Sequence, residues 1–303
     1  MLDTATIVTN AYQRGIVIPG FNVPYLPMVE PVIRAVVDLD SFALVEVARI
    51  EWLKFECRGP AAVRGEFAKW NVPEYVRLHL DHIPVIDEDG LEVNYQPILQ
   101  EAIDLGYHSV MVDGSALDLE GNIEATRRVV ALAHAAGIPC EAELGAIVRE
   151  GTGPLQPYED LFASGLGFTN RDDAGRFVKE TGCDWLSVAV GNIHGAVSGI
   201  LTDRQKTEAR LNLEHLDILR QATGIPLVLH GGSGVKRDYL LAAIQRGITK
   251  VNVGFEIRQT YEMSLRKSGG NISRSQDAVY ERTCWLIRDH FGVVGTRRLL
   301  AGG

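Results

Sequence analysis

The sequence predicts a (β/α)8 barrel. Eight short β-rich runs alternate with helix-period segments through most of the chain, which is the count for that fold. The runs are apolar rather than strictly alternating, the pattern of parallel strands covered on both faces. Three of them end in or just before a histidine, at His82, His194 and His230. A doubly wound open sheet is the competing architecture. It usually carries a Gly-rich dinucleotide turn after its first strand, and Phe21-Asn22-Val23-Pro24 is not one.

The first strand is expected over 15–23 and the second over 42–48. Between them Met28, Val32, Ala35, Val36 and Leu39 recur at helical spacing, which predicts a helix over 27–40. Another helix is expected around 60–70. The third strand, over 75–82, delivers Asp81 and His82 to its C-terminal end. The next helix, 94–105, is stopped by Gly106, and the fourth strand, 108–113, runs into Gly114-Ser115. A helix over 119–136 closes at Gly137. The fifth strand, 139–145, carries Glu141 and Glu143, and a long loop over 146–170 follows. A helix over 171–181 leads to the sixth strand, 185–191, and so to Asn192-Ile193-His194-Gly195. A helix over 208–222 precedes the seventh strand, 226–229, which opens into His230-Gly231-Gly232-Ser233-Gly234. A helix over 237–246 and the eighth strand, 248–254, complete the barrel. Helical material from 255 onward is expected to break near Ser268-Gly269-Gly270-Asn271. No linker or low-complexity stretch interrupts the alternation, so 1–303 reads as one barrel domain with additional C-terminal helices.

Composition narrows the function. Hydrophobic residues at 46% and charged residues at 23% are ordinary for a soluble globular protein. The net charge of −9 argues against a nucleic-acid surface, which shows as a basic patch. A metal ion or backbone amides can still hold a phosphate locally. Cys57, Cys140, Cys183 and Cys284 form no CxxC pair and read as free thiols in a reducing compartment. Met1-Leu2-Asp3-Thr4 lacks the basic region and apolar core of a secretory signal. No apolar run reaches the roughly 18 residues of a membrane span. The expected location is cytoplasmic.

In such a barrel the C-terminal strand ends converge on the face where chemistry is done. His82, His194 and His230 would meet there, and three imidazoles with an open position are a recognised catalytic zinc arrangement. His79, His108, His134, His215 and His290 lie elsewhere on the elements and read as non-ligands. Asp81 is the expected proton-transfer group. Successive strand residues point to opposite faces, so Asp81 and His82 can share a site only if the strand end bends. The Gly-rich turn 230–234 ahead of a helix suits an anion, because amides and a helix N-terminus favour negative charge. Asn252 and Gly254 close the eighth strand beside it. Asp113, Ser115 and Glu143, also at strand ends, could position substrate, hold a second cation or orient a ligand imidazole. Lys250 offers Schiff-base chemistry, but its depth in the strand favours an internal ion pair.

Taken together, the motifs resemble the class II, metal-dependent ketose-bisphosphate aldolases, which include the fructose- and tagatose-bisphosphate enzymes. The matching segments are Phe21-Asn22-Val23, Leu80-Asp81-His82, 109–115, Glu141-Ala142-Glu143-Leu144-Gly145, 190–195, 226–234 and Lys250-Val251-Asn252-Val253. They run in family order over residues 16–254. The resemblance implies a catalytic zinc, or another divalent metal, on His82, His194 and His230, with Asp81 and the loop acid Glu150 catalytic. It implies that Asn22, Gly195, Gly231, Ser233 and Asn252 bind substrate, and that Glu143 is the glutamate near the metal. The implied reaction is cleavage of a phosphorylated ketose through a metal-stabilised enediolate. Fructose 1,6-bisphosphate, split to dihydroxyacetone phosphate and glyceraldehyde 3-phosphate as in glycolysis, is the default substrate. The family also implies a homodimer or homotetramer.

The chain departs from the family pattern in places. Phe255 stands where a threonine usually helps hold the donor phosphate. The loop after Gly145 reads Ala146-Ile147-Val148-Arg149-Glu150-Gly151, without the usual two glycines. Arg49-Ile50-Glu51-Trp52 does not match the usual second-strand sequel, and Ile83 follows His82 where a glycine is common. A paralogue with another donor or acceptor is therefore the first alternative. A metal-dependent barrel hydrolase and a non-catalytic sugar-phosphate binding protein are the others.

Overall fold

Eight parallel strands close on themselves with helices packed outside them, a (β/α)8 TIM barrel. The computed structural model describes residues 2–70, 72–145, 148–149, 158–194 and 209–301. The barrel strands are β1 (Ile18–Asn22), β2 (Ala43–Ala48), β3 (Val76–Pro84), β4 (Ser109–Asp113), β5 (Cys140–Leu144), β6 (Trp185–Val188), β7 (Leu227–Leu229) and β8 (Ile248–Val253). Each pairs with its sequence neighbours, and β1 closes the ring on β8 through Ile18 with Lys250 and Gly20 with Asn252.

The expected elements are present with trimmed ends. Helices α2 (Val29–Asp38), α5 (Tyr95–Asp104), α6 (Leu119–Ala135), α8 (Arg171–Thr181), α9 (Leu213–Thr223) and α10 (Arg237–Ile244) follow the predicted segments. Before them lies a helix the periodicity reading passed over, α1 (Thr4–Arg14), capped by Asp3 at its start and by Gly15 at its end. A short helix α3 (Arg49–Lys54) leads from β2, and α4 (Pro60–Phe67) ends earlier than expected. The predicted loop over 146–170 is not all loop. It contains helix α7 (Tyr158–Ser164), and Val148–Arg149 pairs in parallel with Ile193–His194. At the C-terminus α11 (Phe255–Lys267) and α12 (Ile272–Trp285) are separated at 268–271, and α13 (Arg297–Leu300) follows.

Side-chain alternation splits the core. Val45, Val47, Leu78, Leu80, Val110 and Val112 face outward and pack in the main cluster with Val32, Ile33 and Val36 of α2 and Leu99 of α5. Inside the barrel, Ile18, Leu44, Trp185 and Val228 form an apolar layer closed from below by Ile7, Val8 and Ala11 of α1 and by Leu300. Above that layer the same inward positions turn ionic.

Candidate active site

Asp81 and His82 reach one site because the end of β3 bends. His82 has φ 38°, a left-handed conformation uncommon for a side chain of its size. The pairing of β3 with β4 slips in register between Leu80 and Ile83. The extra residue in β3 therefore swings the imidazole onto the face that Asp81 already occupies.

Each Asp81 oxygen is held by a side-chain amide. Asn22 Nδ2 donates to Oδ2 at 2.9 Å and Asn252 Nδ2 to Oδ1 at 2.9 Å. Both asparagines, expected from the family pattern to touch substrate, thus also fix the orientation of the carboxylate. Burial opposes the Asp81 charge, but His82, Lys250 and His230 outweigh it and hold the carboxyl well below its usual range.

His82 Nε2 faces His230 Nδ1 across 2.6 Å. The far nitrogen of each ring meets an acid. His82 Nδ1 lies 3.3 Å from Asp113 Oδ2, and His230 Nε2 lies 2.9 Å from Glu141 Oε1. Glu143 Oε2 is 3.8 Å from His82 Nδ1 and 3.4 Å from His230 Nδ1. Asp113 is itself fixed by Ser115, whose N–H and Oγ both donate to Oδ1. Burial works against a charged His82, yet Asp81, Asp113 and Glu143 raise it to about 10. For His230, burial and then the His82 charge push the same value down.

A second tier of ions lies beneath. Lys250 Nζ is 2.8 Å from Glu141 Oε2, 3.0 Å from Glu46 Oε1 and 3.8 Å from Asp81 Oδ1. This is the internal ion pair expected for Lys250. Trp185 Nε1 also donates to Glu141 Oε2, and His79 Nε2 stands 3.4 Å from it. Burial would raise Glu141, but Lys250 and His230 bring it to about 2. Burial drives Glu46 well above the carboxylate range even with Lys250 beside it. His79 falls to about 3 through burial and the Lys250 charge. One lysine therefore faces two ionised carboxylates, Asp81 and Glu141, and the tier below the histidines carries surplus negative charge.

That arrangement fits a divalent cation. Asp81, His82 and His230 offer ligand atoms within 4.8 Å of one another, and so do His82, Asp113 and Glu143. The facing nitrogens can share at most one proton, whereas a cation accepts lone pairs from both. The carboxylates behind the rings fix their tautomers as they do behind metal-bound histidines. His194 ends the short strand Ile193–His194, and Asn192 beside it donates to the His230 carbonyl at 3.1 Å, which ties the two segments together. The His194 side chain, Gly195 and Glu150 lie outside the described residues.

The Gly-rich segment after β7 is a tight turn. Gly231 has φ 73°, and 232–234 form a single 3-10 turn that includes the backbone of Ser233. A Cβ on Gly232 would come 2.1 Å from Val251 Cγ1, so only glycine lets this turn lie against β8. Phe255 opens α11 directly after β8. The Arg258 guanidinium lies 5.3 Å from its ring centroid and 4.7 Å from that of Phe55.

Sequence reasoning missed Glu46 and Glu51. Glu46 was visible as the single charge in the apolar run Ala43-Leu44-Val45-Glu46-Val47-Ala48. Glu51, 7% exposed, accepts the Ala48 N–H at 2.8 Å. Burial raises it to about 8, against the pull of that N–H and of Asn22 and with the help of Asp81.

Residues 2–289 match the family model for class-II fructose-bisphosphate aldolase. The chain belongs to that family. Fructose-bisphosphate aldolase of Streptococcus pneumoniae serotype 4 is 34% identical over 292 residues, covering 93% of this chain and 88% of the relative. The enzyme of Streptococcus pyogenes serotype M1 is 32% identical over 286 residues, covering 91% and 86%. The crystal structure of the YdjI aldolase from Escherichia coli K12 superposes with a TM-score of 0.76 at 28% identity, covering 98% of this chain and all of that one. Family membership makes the chain a lyase of the aldolase type, in a family that is metal-dependent and acts on phosphorylated sugars. Among the described residues no helix is long and apolar enough to cross a membrane.

Proposed function

We propose that this barrel reversibly cleaves a phosphorylated ketose between its third and fourth carbons, with zinc as the metal on His82, His194 and His230. Fructose 1,6-bisphosphate is the default substrate. The observation that carries the reading is Asp81, ionised and gripped by two amides, next to the facing histidines.

When bound, the metal supplies Lewis-acid polarisation of the ketose carbonyl and offsets the negative charge that develops there. The chain supplies the rest. Asn22 and Asn252 hold Asp81 so that an oxygen is positioned to take the C4 hydroxyl proton during cleavage and return it during synthesis. Glu150 is assigned to the proton at the donor carbon. Backbone amides of Gly231 and Ser233, with Gly195, are assigned to the donor phosphate. Glu141 and Asp113 keep His230 and His82 turned toward each other. We also read 1–303 as one domain of a cytoplasmic homodimer or homotetramer. Ile272, Met263 and Trp285, exposed on the C-terminal helices, support a subunit contact there.

A paralogue with a different donor or acceptor is the second reading, favoured by Phe255. Its ring replaces a hydroxyl at the start of α11 with a group that offers a phosphate no hydrogen bond. The test is deuterium exchange into dihydroxyacetone phosphate in heavy water, followed by NMR. Exchange that disappears with EDTA and with His230→Ala establishes the donor and the metal. Absence of exchange from zinc-loaded protein rejects the default donor and leaves the paralogue reading.

A further inference from the structure

The end of the barrel opposite the catalytic face holds a cavity of about 370 Å3, at the small end of the range for ligand sites. Ile7, Phe42 and Leu300 give it apolar walls, and Arg77, Arg297 and Glu74 face it as charges. Arg77 is the unusual member. It points inward from the start of β3, on the same side of the strand as His79 and Asp81. It is 3% exposed. Among the described residues its guanidinium donates only to carbonyls, those of Val76 and Leu2, each at 3.2 Å, and it lies 5.9 Å from the Phe42 ring centroid. Among the described residues no carboxylate lies within 4.0 Å of it. Burial pulls its proton affinity down, with only Glu74 at longer range opposing. The second arginine is already engaged, since Arg297 Nε pairs with Asp40 Oδ1 at 2.6 Å and stacks on Tyr75.

Buried cations in proteins are as a rule paired, because desolvating an unpaired charge is costly. Here the guanidinium borders a cavity that has room for the missing partner. We propose that this cavity is a binding site for a small organic monoanion, a carboxylate on a short hydrocarbon body, with the head group on Arg77 and the body against Phe42, Ile7 and Leu300. Glu74 at the same cavity disfavours a doubly charged phosphate ester. The site is separate from the catalytic face and does not depend on the aldolase reading.

The probe is hexanoate, titrated calorimetrically into the full chain in EDTA, with hexyl phosphate in parallel. The expected result is one saturable site for hexanoate that weakens at least tenfold in Arg77→Met, the loss of one charge-assisted contact. Ala301→Trp is the second variant. It fills the cavity from its exposed edge and leaves the Arg77 hydrogen bonds in place. It should abolish binding while leaving turnover unchanged, so it decides the matter if Arg77→Met fails to fold. His230→Ala should bind hexanoate as the parent does. No saturable binding up to about 10 mM, equal binding by Ala301→Trp, or loss of binding in His230→Ala each overturns the proposal. Hexyl phosphate binding as tightly as hexanoate overturns the assignment to a carboxylate.

Discussion

The barrel interior has two storeys built from the same strands. In the lower one, Ile18, Leu44 and Val228 are hydrocarbon packed on hydrocarbon, and Trp185 packs among them while its Nε1 donates to Glu141. Two residues further along, β2 reaches Glu46 and the β7 chain reaches His230, while β8 contributes Lys250 to the same upper storey. The apolar layer is close to a sum of independent burials. The ionic one is a single object, since Glu141 alone touches Lys250, Trp185, His79 and His230. A side chain lost below leaves a cavity, whereas one lost above leaves other charges without partners.

Asp81→Asn gives the largest effect and separates chemistry from scaffold. Asparagine keeps the shape of the carboxylate and one of its two accepted amide hydrogen bonds, but it cannot take a proton, so turnover should fall by about 10²–10⁴. The urea midpoint should fall less than in Lys250→Met, because Lys250 keeps Glu141, and a fall as large as that one would show that Asp81 belongs to the supporting storey instead.

Lys250→Met tests whether the upper storey is one object. It leaves Glu141 without its lysine and takes one of the cations facing Asp81, and removing one partner of a buried pair destabilises by about 3–5 kcal/mol. Leu44→Ala in the apolar layer should lose a similar amount, about 2–5 kcal/mol, through the cavity it leaves. The two differ in rescue. Adding Glu141→Gln to Lys250→Met should recover part of the loss in urea unfolding, because one stranded charge disappears. Adding it to Leu44→Ala should only make matters worse.

The same division explains what could be read from the sequence. The barrel was legible because its evidence is periodic: apolar runs at strand spacing, glycine stops and helical stripes. Asp81, His82 and His230 were legible because they end strands. The bend that unites Asp81 with His82 was not, since a positive φ at a histidine leaves no compositional mark. Glu46 and Glu51 went unread for a related reason. A lone glutamate inside an apolar run or just beyond it reads as solvated, and only the closed barrel shows that nothing wet surrounds it. Gly20 belongs to the same arrangement. A Cβ there would sit 2.3 Å from Glu46 Oε1, so the glycine on β1 makes the space that the carboxyl on β2 fills.

Glu51 offers a smaller, pH-dependent test. The folded protein keeps its carboxyl proton up to about pH 8, while the unfolded chain releases it near 4.5. Between those values the unfolded state binds fewer protons than the folded one, so stability falls as pH rises. Glu51→Gln carries no such proton. Its stability relative to the parent should therefore improve steadily from pH 5 to pH 8.5, read as urea midpoints. Parallel profiles for the two proteins would mean that Glu51 is ionised in the fold.

The smallest effect should come from Glu46→Gln, and it sharpens the contrast most. Glu46 and Lys250 are 3.0 Å apart and both fully buried, so a reading by distance alone makes them a strong ion pair whose removal is severe. Burial, however, holds Glu46 in its neutral form, and Asp81 and Glu141 add to that pressure. A neutral acid beside a lysine is a hydrogen-bond acceptor, and an amide oxygen is one as well. The substitution should then change stability by less than about 1 kcal/mol, because a neutral amide oxygen replaces a neutral carboxyl oxygen beside the same ammonium. A loss as large as that of Lys250→Met would mean that Glu46 is charged, and that the upper storey balances three carboxylates on one lysine rather than two.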